Sequence, residues 1–193
     1  MIVKIGNHYV LNENVNVTVN NIPQRVGNGF NHNPIVNIPQ FPLHINSAND
    51  VVFIFTHGDV NVVGGYYVNQ LSALFENPRG KTFVLISCKA GVGNRIEGSF
   101  AEEFAKTNKC RVFAPMGCSV FSNNGIAVIP ESEVEKYSRL QEQFEQVGQN
   151  AQVLNKMFNA CSVDDKCFTI EWNELNNYEQ LLGYGFLEID ARD

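Results

Sequence analysis

The chain has 193 residues, 44% hydrophobic and 18% charged, with a formal net charge of −6. That composition suits one domain with its own core and lies away from the low-hydrophobicity, high-charge range in which chains stay disordered. No apolar run reaches the roughly 18–20 residues of a membrane-spanning helix, and the first residues lack the zones of a Sec-type signal peptide. A soluble chain is therefore expected, cytoplasmic or delivered to a host cell by a specialised secretion route.

The acidic balance argues against a nucleic-acid partner, and its distribution is uneven. From Arg79 to Arg111 there are seven basic and three acidic residues, and from Glu131 to Asp193 five basic and thirteen acidic. Five cysteines, at 88, 110, 118, 161 and 167, form no CxxC pair. Their odd number and the lack of a His near Cys161 and Cys167 point to free thiols in a reduced compartment, with no metal site.

In chain order, residues 1–50 form an Asn-rich arm with twelve Asn and only four charged residues. Val15 to Asn20 alternates as a half-buried strand does, and Pro23, Pro34, Pro39 and Pro42 divide the rest, so loops with one or two edge strands are expected. Residues 51–129 switch to alternating strand and helix signals, the pattern of a parallel sheet with crossover helices. Val51–Phe55 and Thr82–Ile86 are continuous runs of β-formers suited to strands buried on both faces. Between them, Val68, Leu71, Leu74 and Phe75 have helical spacing. Ser99-x-x-Glu102 predicts a capped helix to about Lys106, Arg111–Ala114 a third strand, and Asn123-Asn124-Gly125 a turn into an antiparallel strand over 126–129. Residues 130–193 read as a mostly helical C-terminal part, with a cap at Ser132-x-x-Glu135 and a break near Gly148.

Two of the buried runs end in a reactive residue: Phe55-Thr56 leads to His57-Gly58, and Ile86-Ser87 to Cys88. Ligand crevices of open parallel sheets lie beyond the carboxyl ends of the strands, so both side chains arrive at one edge. The 59–81 link has room for one right-handed crossover, which makes the two strands parallel neighbours. A thiolate attacks a carbonyl, an imidazole moves the proton, and backbone amides hold the oxyanion. Gly58 and Cys88 can supply those amides, and Ala90 to Asn94 suits a substrate-facing loop. Cys118, just past the third strand, is the rival nucleophile. Trp172 reads as core, Cys110 as a residue between helix and strand, and His8, His32 and His44 as turn or surface residues.

The segments Phe-Ile-Phe-Thr-His57-Gly58 and Val-Leu-Ile-Ser-Cys88-Lys-Ala-Gly, with the helix from Phe100 and Val112-Phe113-Ala114-Pro115, resemble the core of clan CD cysteine peptidases. That group includes caspases, legumains, clostripain, gingipains and separases. Gln70-Leu71 and the turn at Asn123–Gly125 look most like the self-processing cysteine protease domains of large bacterial toxins. The resemblance implies a caspase-like α/β sandwich, a His57–Cys88 dyad, an oxyanion hole of the Gly58 and Cys88 amides, and a protein or peptide substrate, with neither nucleic acid nor membrane. Ile86 stands where caspases place a pocket Gln, and no Arg follows the third strand, so Asp specificity is not expected.

A P1 pocket in such a fold would be walled by Ile86 and Met116-Gly117-Cys118-Ser119, with Asp59 able to reach its floor. The toxin domains are activated by inositol hexakisphosphate on a basic flap, whereas the corresponding region here is acidic. No cofactor is therefore required, and an inositol phosphate would have only Lys81, Lys89, Arg95, Lys106, Lys109 and Arg111 to hold it. Two other readings are a caspase-like module that binds peptide without cutting it, and a cysteine-dependent transferase or deamidase in which Asp59 or Asn61 orients the imidazole.

Overall fold

A computed structural model describes residues 51–93, 98–148 and 150–193, with their side chains except at 150, 151 and 176. Before them it describes the backbone of five strands. In chain order the elements are β1 (Ile2–Ile5), β2 (His8–Leu11), β3 (Val15–Val19), β4 (Ile22–Val26), β5 (Val36–Ile38), β6 (Val51–Phe55), α1 (Val68–Ser72), β7 (Thr82–Ile86), α2 (Phe100–Asn108) and β8 (Arg111–Pro115). There follow β9 (Gly117–Phe121), β10 (Gly125–Pro130), α3 (Val134–Glu145), α4 (Asn150–Ser162), β11 (Phe168–Glu171), a 3₁₀ stretch Trp172–Gly183, and β12 (Phe186–Asp190).

The central sheet has the order β1-β2-β6-β7-β8-β12. The four inner strands are parallel, and β1 and β12 pair antiparallel at the two edges. Every residue of β6 and β7 is buried, as their unbroken apolar runs require of strands covered on both faces. Val52, Ile54, Phe83, Leu85 and Val112 face α1 and α2. There Phe83 and Phe104 meet edge-to-face with ring centroids 5.0 Å apart, a contact worth about 0.5–1.5 kcal/mol beyond its buried area.

Val51, Phe53, Phe55, Val84 and Ile86 face the opposite way, under a second sheet of order β11-β10-β9 and the 3₁₀ stretch. Trp172 lies in this layer beside Phe55 and donates its indole N–H to the Ser122 carbonyl at 2.8 Å. The far side of the second sheet, with Ala127 and Ile129, packs on α3 and α4. The result is a mixed α/β arrangement in which a mainly parallel sheet is flanked on one side by helices and on the other by a small sheet backed by helices.

Several expectations need correction. The arm contributes five strands rather than one or two: β2 pairs in parallel with β6 and extends the central sheet, while β3, β4 and β5 form a third sheet. Pro23 lies in β4, an edge strand of that third sheet, where a missing amide breaks no inner ladder. The C-terminal part carries two strands, and β12 closes the central sheet against β8, with Arg111 paired to Glu188 at 2.6 Å. Ser132 does not cap α3, because a 3₁₀ turn over Glu131–Glu133 runs directly into it with Glu133 already in the helical region. Ser99, by contrast, caps α2 by accepting the Glu102 amide. His32, His44, Asn94 and Arg95 lie outside the described residues, and His8 belongs to β2. Among the described residues no helix is long and apolar enough to cross a membrane.

Candidate active site

Phe55 of β6 is the register partner of Ile86 in β7, and the Thr56 amide extends that ladder by donating to the Ile86 carbonyl at 3.0 Å. His57 and Cys88 therefore leave the sheet side by side at its carboxyl edge. Beyond His57 the chain folds into a short loop: the Asp59 amide donates to Val62 O at 2.9 Å and the Gly64 amide to His57 O at 2.7 Å. The Asp59 carboxylate closes this loop, accepting the Asn61 and Val62 amides at 2.7 and 3.0 Å.

Gly58 is required there by crowding. A Cβ at this position would lie 2.9 Å from Val62 O, 3.2 Å from Cys88 O and 3.3 Å from Ser87 Cβ. The backbone after His57 thus rests directly on the backbone around Cys88. That contact places the Gly58 and Cys88 amides in neighbouring segments.

The Cys88 turn is held by the connection from β8 into β9. Lys89 adopts a left-handed conformation, φ 61°, and its amide donates to Gly117 O at 2.8 Å. The Ser119 hydroxyl donates to Ser87 O at 2.8 Å, and the Ser119 amide donates to the Cys88 sulfur at 3.3 Å. Gly91 is buried against β8, where a Cβ would meet Pro115 O at 2.9 Å, and its amide donates to that same oxygen. Ala90 and Gly91 are therefore packing residues rather than part of a substrate-facing loop.

His57, Cys88, Cys118 and Ser119 line one pocket of about 270 Å³. Its wall is mostly apolar, with Val120, Phe121, Ile129, Val134, Leu154 and Met157, and it takes polar groups from Tyr137, Ser138 and Gln141. Of the residues expected to form a P1 pocket, Cys118 and Ser119 belong to it. Ile86 does not, being buried in the core between the two sheets. Met116 is exposed and Gly117 buried, both away from the lining, and Asp59 is occupied in its own turn. Nothing local in the sequence marks α3 and α4 as part of this wall.

The Cys88 and Cys118 thiols line the pocket together, and the titration of each shifts that of the other. The neighbouring Cys88 thiol pulls the Cys118 thiol down to about 7; the Lys89 ammonium assists and burial opposes. The Cys118 thiol in turn pushes the Cys88 thiol up, reinforced by burial, against the Ser119 amide and Lys89. Taken as a unit, the pair gives up its first proton below the ordinary thiol range and holds its second strongly. Burial drives Cys110 and Cys161 up to about 12 and raises Cys167, so these thiols are protonated at neutral pH.

Among the described residues, the basic side chains expected to hold an anion are dispersed. Lys89 pairs with Glu131, Lys106 with Glu102, and Arg111 with Glu179 and Glu188. Lys81 and Lys109 precede β7 and β8, at the amino edge opposite the pocket. Among the described residues no group of three or more His, Cys, Asp or Glu could hold a metal ion. No family model, curated protein or solved structure matches this chain.

Proposed function

We propose that the protein is a caspase-like cysteine endopeptidase in which Cys88 is the nucleophile and His57 the general base. The observation that carries this reading is that both residues leave adjacent parallel strands at the same edge and line one pocket. A central sheet with four parallel strands and an antiparallel edge after the third core strand supports the caspase-like assignment.

In this mechanism the Cys88 sulfur attacks the scissile carbonyl while His57 takes the thiol proton. The Gly58 and Cys88 amides stabilise the oxyanion. His57 then protonates the leaving amine, and a water activated by the same imidazole releases the acyl group from sulfur. The apolar pocket beside the dyad receives an apolar or small polar P1 side chain, because an unpaired charge buried there would cost several kcal/mol. The test is a cleavage-site map of a denatured proteome. New termini sharing an apolar P1 residue, absent with Cys88→Ala, support the reading; no new termini, or the same ones with Cys88→Ala, contradict it.

One observation favours a second assignment of roles. The thiol pulled down is Cys118, which lines the same pocket. In this alternative Cys118 carries the acyl group and Cys88 donates a hydrogen bond to it. Separate Cys88→Ala and Cys118→Ala variants distinguish the two, since only the nucleophile's loss abolishes covalent turnover.

A further inference from the structure

Residues on both sides of Cys88 are tied to residues on both sides of Cys118. The Lys89 amide donates to Gly117 O at 2.8 Å, and the Ser119 hydroxyl donates to Ser87 O at 2.8 Å. The Ser119 amide also lies 3.3 Å from the Cys88 sulfur, which sets that sulfur against the backbone just after Cys118. An amide nitrogen is about 2.4 Å from the preceding Cα, so the Cys88 sulfur lies within about 6 Å of the Cys118 Cα, in reach of a disulfide between the two side chains. Both thiols also line the pocket, which gives a small solute access to them.

We propose that Cys88 and Cys118 form a reversible redox couple, which a hydroperoxide closes to a disulfide at the pocket and a dithiol reductant reopens. One sulfur of the pair, as thiolate, attacks the hydroperoxide and breaks its O–O bond. It becomes a sulfenic acid, and the departing oxygen leaves as hydroxide and is protonated. The second sulfur then displaces the sulfenic hydroxyl, which departs as water with the second thiol's proton, and the S–S bond forms. Two thiols lose two electrons and two protons, and one hydrogen peroxide becomes two waters.

The surroundings favour this outcome over irreversible oxidation. The Ser119 amide and Lys89 support negative charge on sulfur, and the partner thiol lines the same pocket, so the sulfenic acid is captured before a second peroxide arrives. Cys110, Cys161 and Cys167 are buried. The couple needs only its two thiols; its consequence, reversible loss of hydrolysis, rests on the peptidase reading.

The test treats the full chain with hydrogen peroxide, blocks remaining thiols with iodoacetamide under denaturing conditions, and maps the unreduced digest by mass spectrometry. The expected product is a peptide pair joined through Cys88 and Cys118 that disappears with dithiothreitol. In Cys118→Ser and Cys118→Ala the link cannot form, and Cys88 should accumulate sulfinic and sulfonic acid several-fold faster than in the wild type. A link between Cys161 and Cys167 alone, or irreversible oxidation of Cys88 at equal rates in all three proteins, overturns the couple. A Cys88–Cys118 link in a protein that cleaves no peptide supports the couple and removes the peptidase reading instead.

Discussion

His57 and Cys88 stand at matching positions, each two residues past the end of its strand, because Phe55 and Ile86 are register partners in adjacent parallel strands. Side chains alternate along a strand, so His57 continues the face of Phe53 and Phe55, and Cys88 that of Val84 and Ile86. That face is the one covered by the second sheet. The pocket consequently opens between the sheet edge and β9, with α3 and α4 as its far wall.

The lowered thiol of the Cys88–Cys118 pair fixes a pH dependence. A lowered thiol leaves thiolate present above its midpoint and lost as pH falls through it, so alkylation by iodoacetamide should rise through about pH 7. Mapping the labelled peptides should find the Cys88–Cys118 pair, with Cys88 slowed by His57→Ala, and the three buried cysteines unmodified. Cys118→Ala removes the lowered thiol, and the inflection should move up to or beyond the ordinary thiol range of about 8.5. First labelling at Cys161 would refute the assignment.

Gly58→Ala should damage both stability and turnover. The added methyl meets two carbonyl oxygens that belong to backbone and cannot rotate away. Overpacking of this kind costs about 1–3 kcal/mol, measurable by urea denaturation. The displaced Cys88 backbone should lower kcat/KM by at least about tenfold, since an oxyanion donor shifts with it. Wild-type kinetics in this variant would show that the amides do not act as described.

Specificity should follow the pocket wall. In a fluorogenic library varied only at P1, Leu, Ala or Asn should exceed Asp, Arg and Lys by about 100-fold or more, the ratio expected from roughly 3 kcal/mol of unpaired-charge burial. Asp59→Asn should leave the P1 ranking unchanged, because that carboxylate serves the Asn61 and Val62 amides. Turnover confined to basic residues and abolished by Asp59→Asn would contradict this.

Trp172→Phe should lower stability by about 1–3 kcal/mol in denaturant titration, because it leaves the Ser122 carbonyl without its buried donor. The same variant should keep its P1 ranking, as Trp172 lies outside the pocket beside the dyad.

What was legible in the sequence were the features encoded over a few residues. Val51–Phe55 and Thr82–Ile86 were readable as doubly buried strands, and their ends located His57 and Cys88. Ile86 shares the face of Cys88, and what keeps it out of the pocket is the second sheet packed over it, a contact between distant segments. The rest depends on contacts between distant segments. Leu154 and Met157 look like an ordinary apolar helix stripe, and nothing local says that the stripe closes a pocket. β12 is a five-residue run whose strand state comes from pairing with β8. The approach of Cys88 to the segment around Cys118 arises from the path of the chain between β8 and β9.

The most direct test of the central claim is the position of the covalent intermediate. The protein is mixed with a peptide ester carrying a P1 leucine, quenched in acid during turnover to preserve the thioester, digested, and mapped by mass spectrometry. The dyad predicts the acyl mass on the Cys88 peptide, its loss in Cys88→Ala, and slowing of its formation by about 10²–10⁴ in His57→Ala. The acyl group on Cys118, or no covalent species under turnover, would contradict Cys88 as the nucleophile.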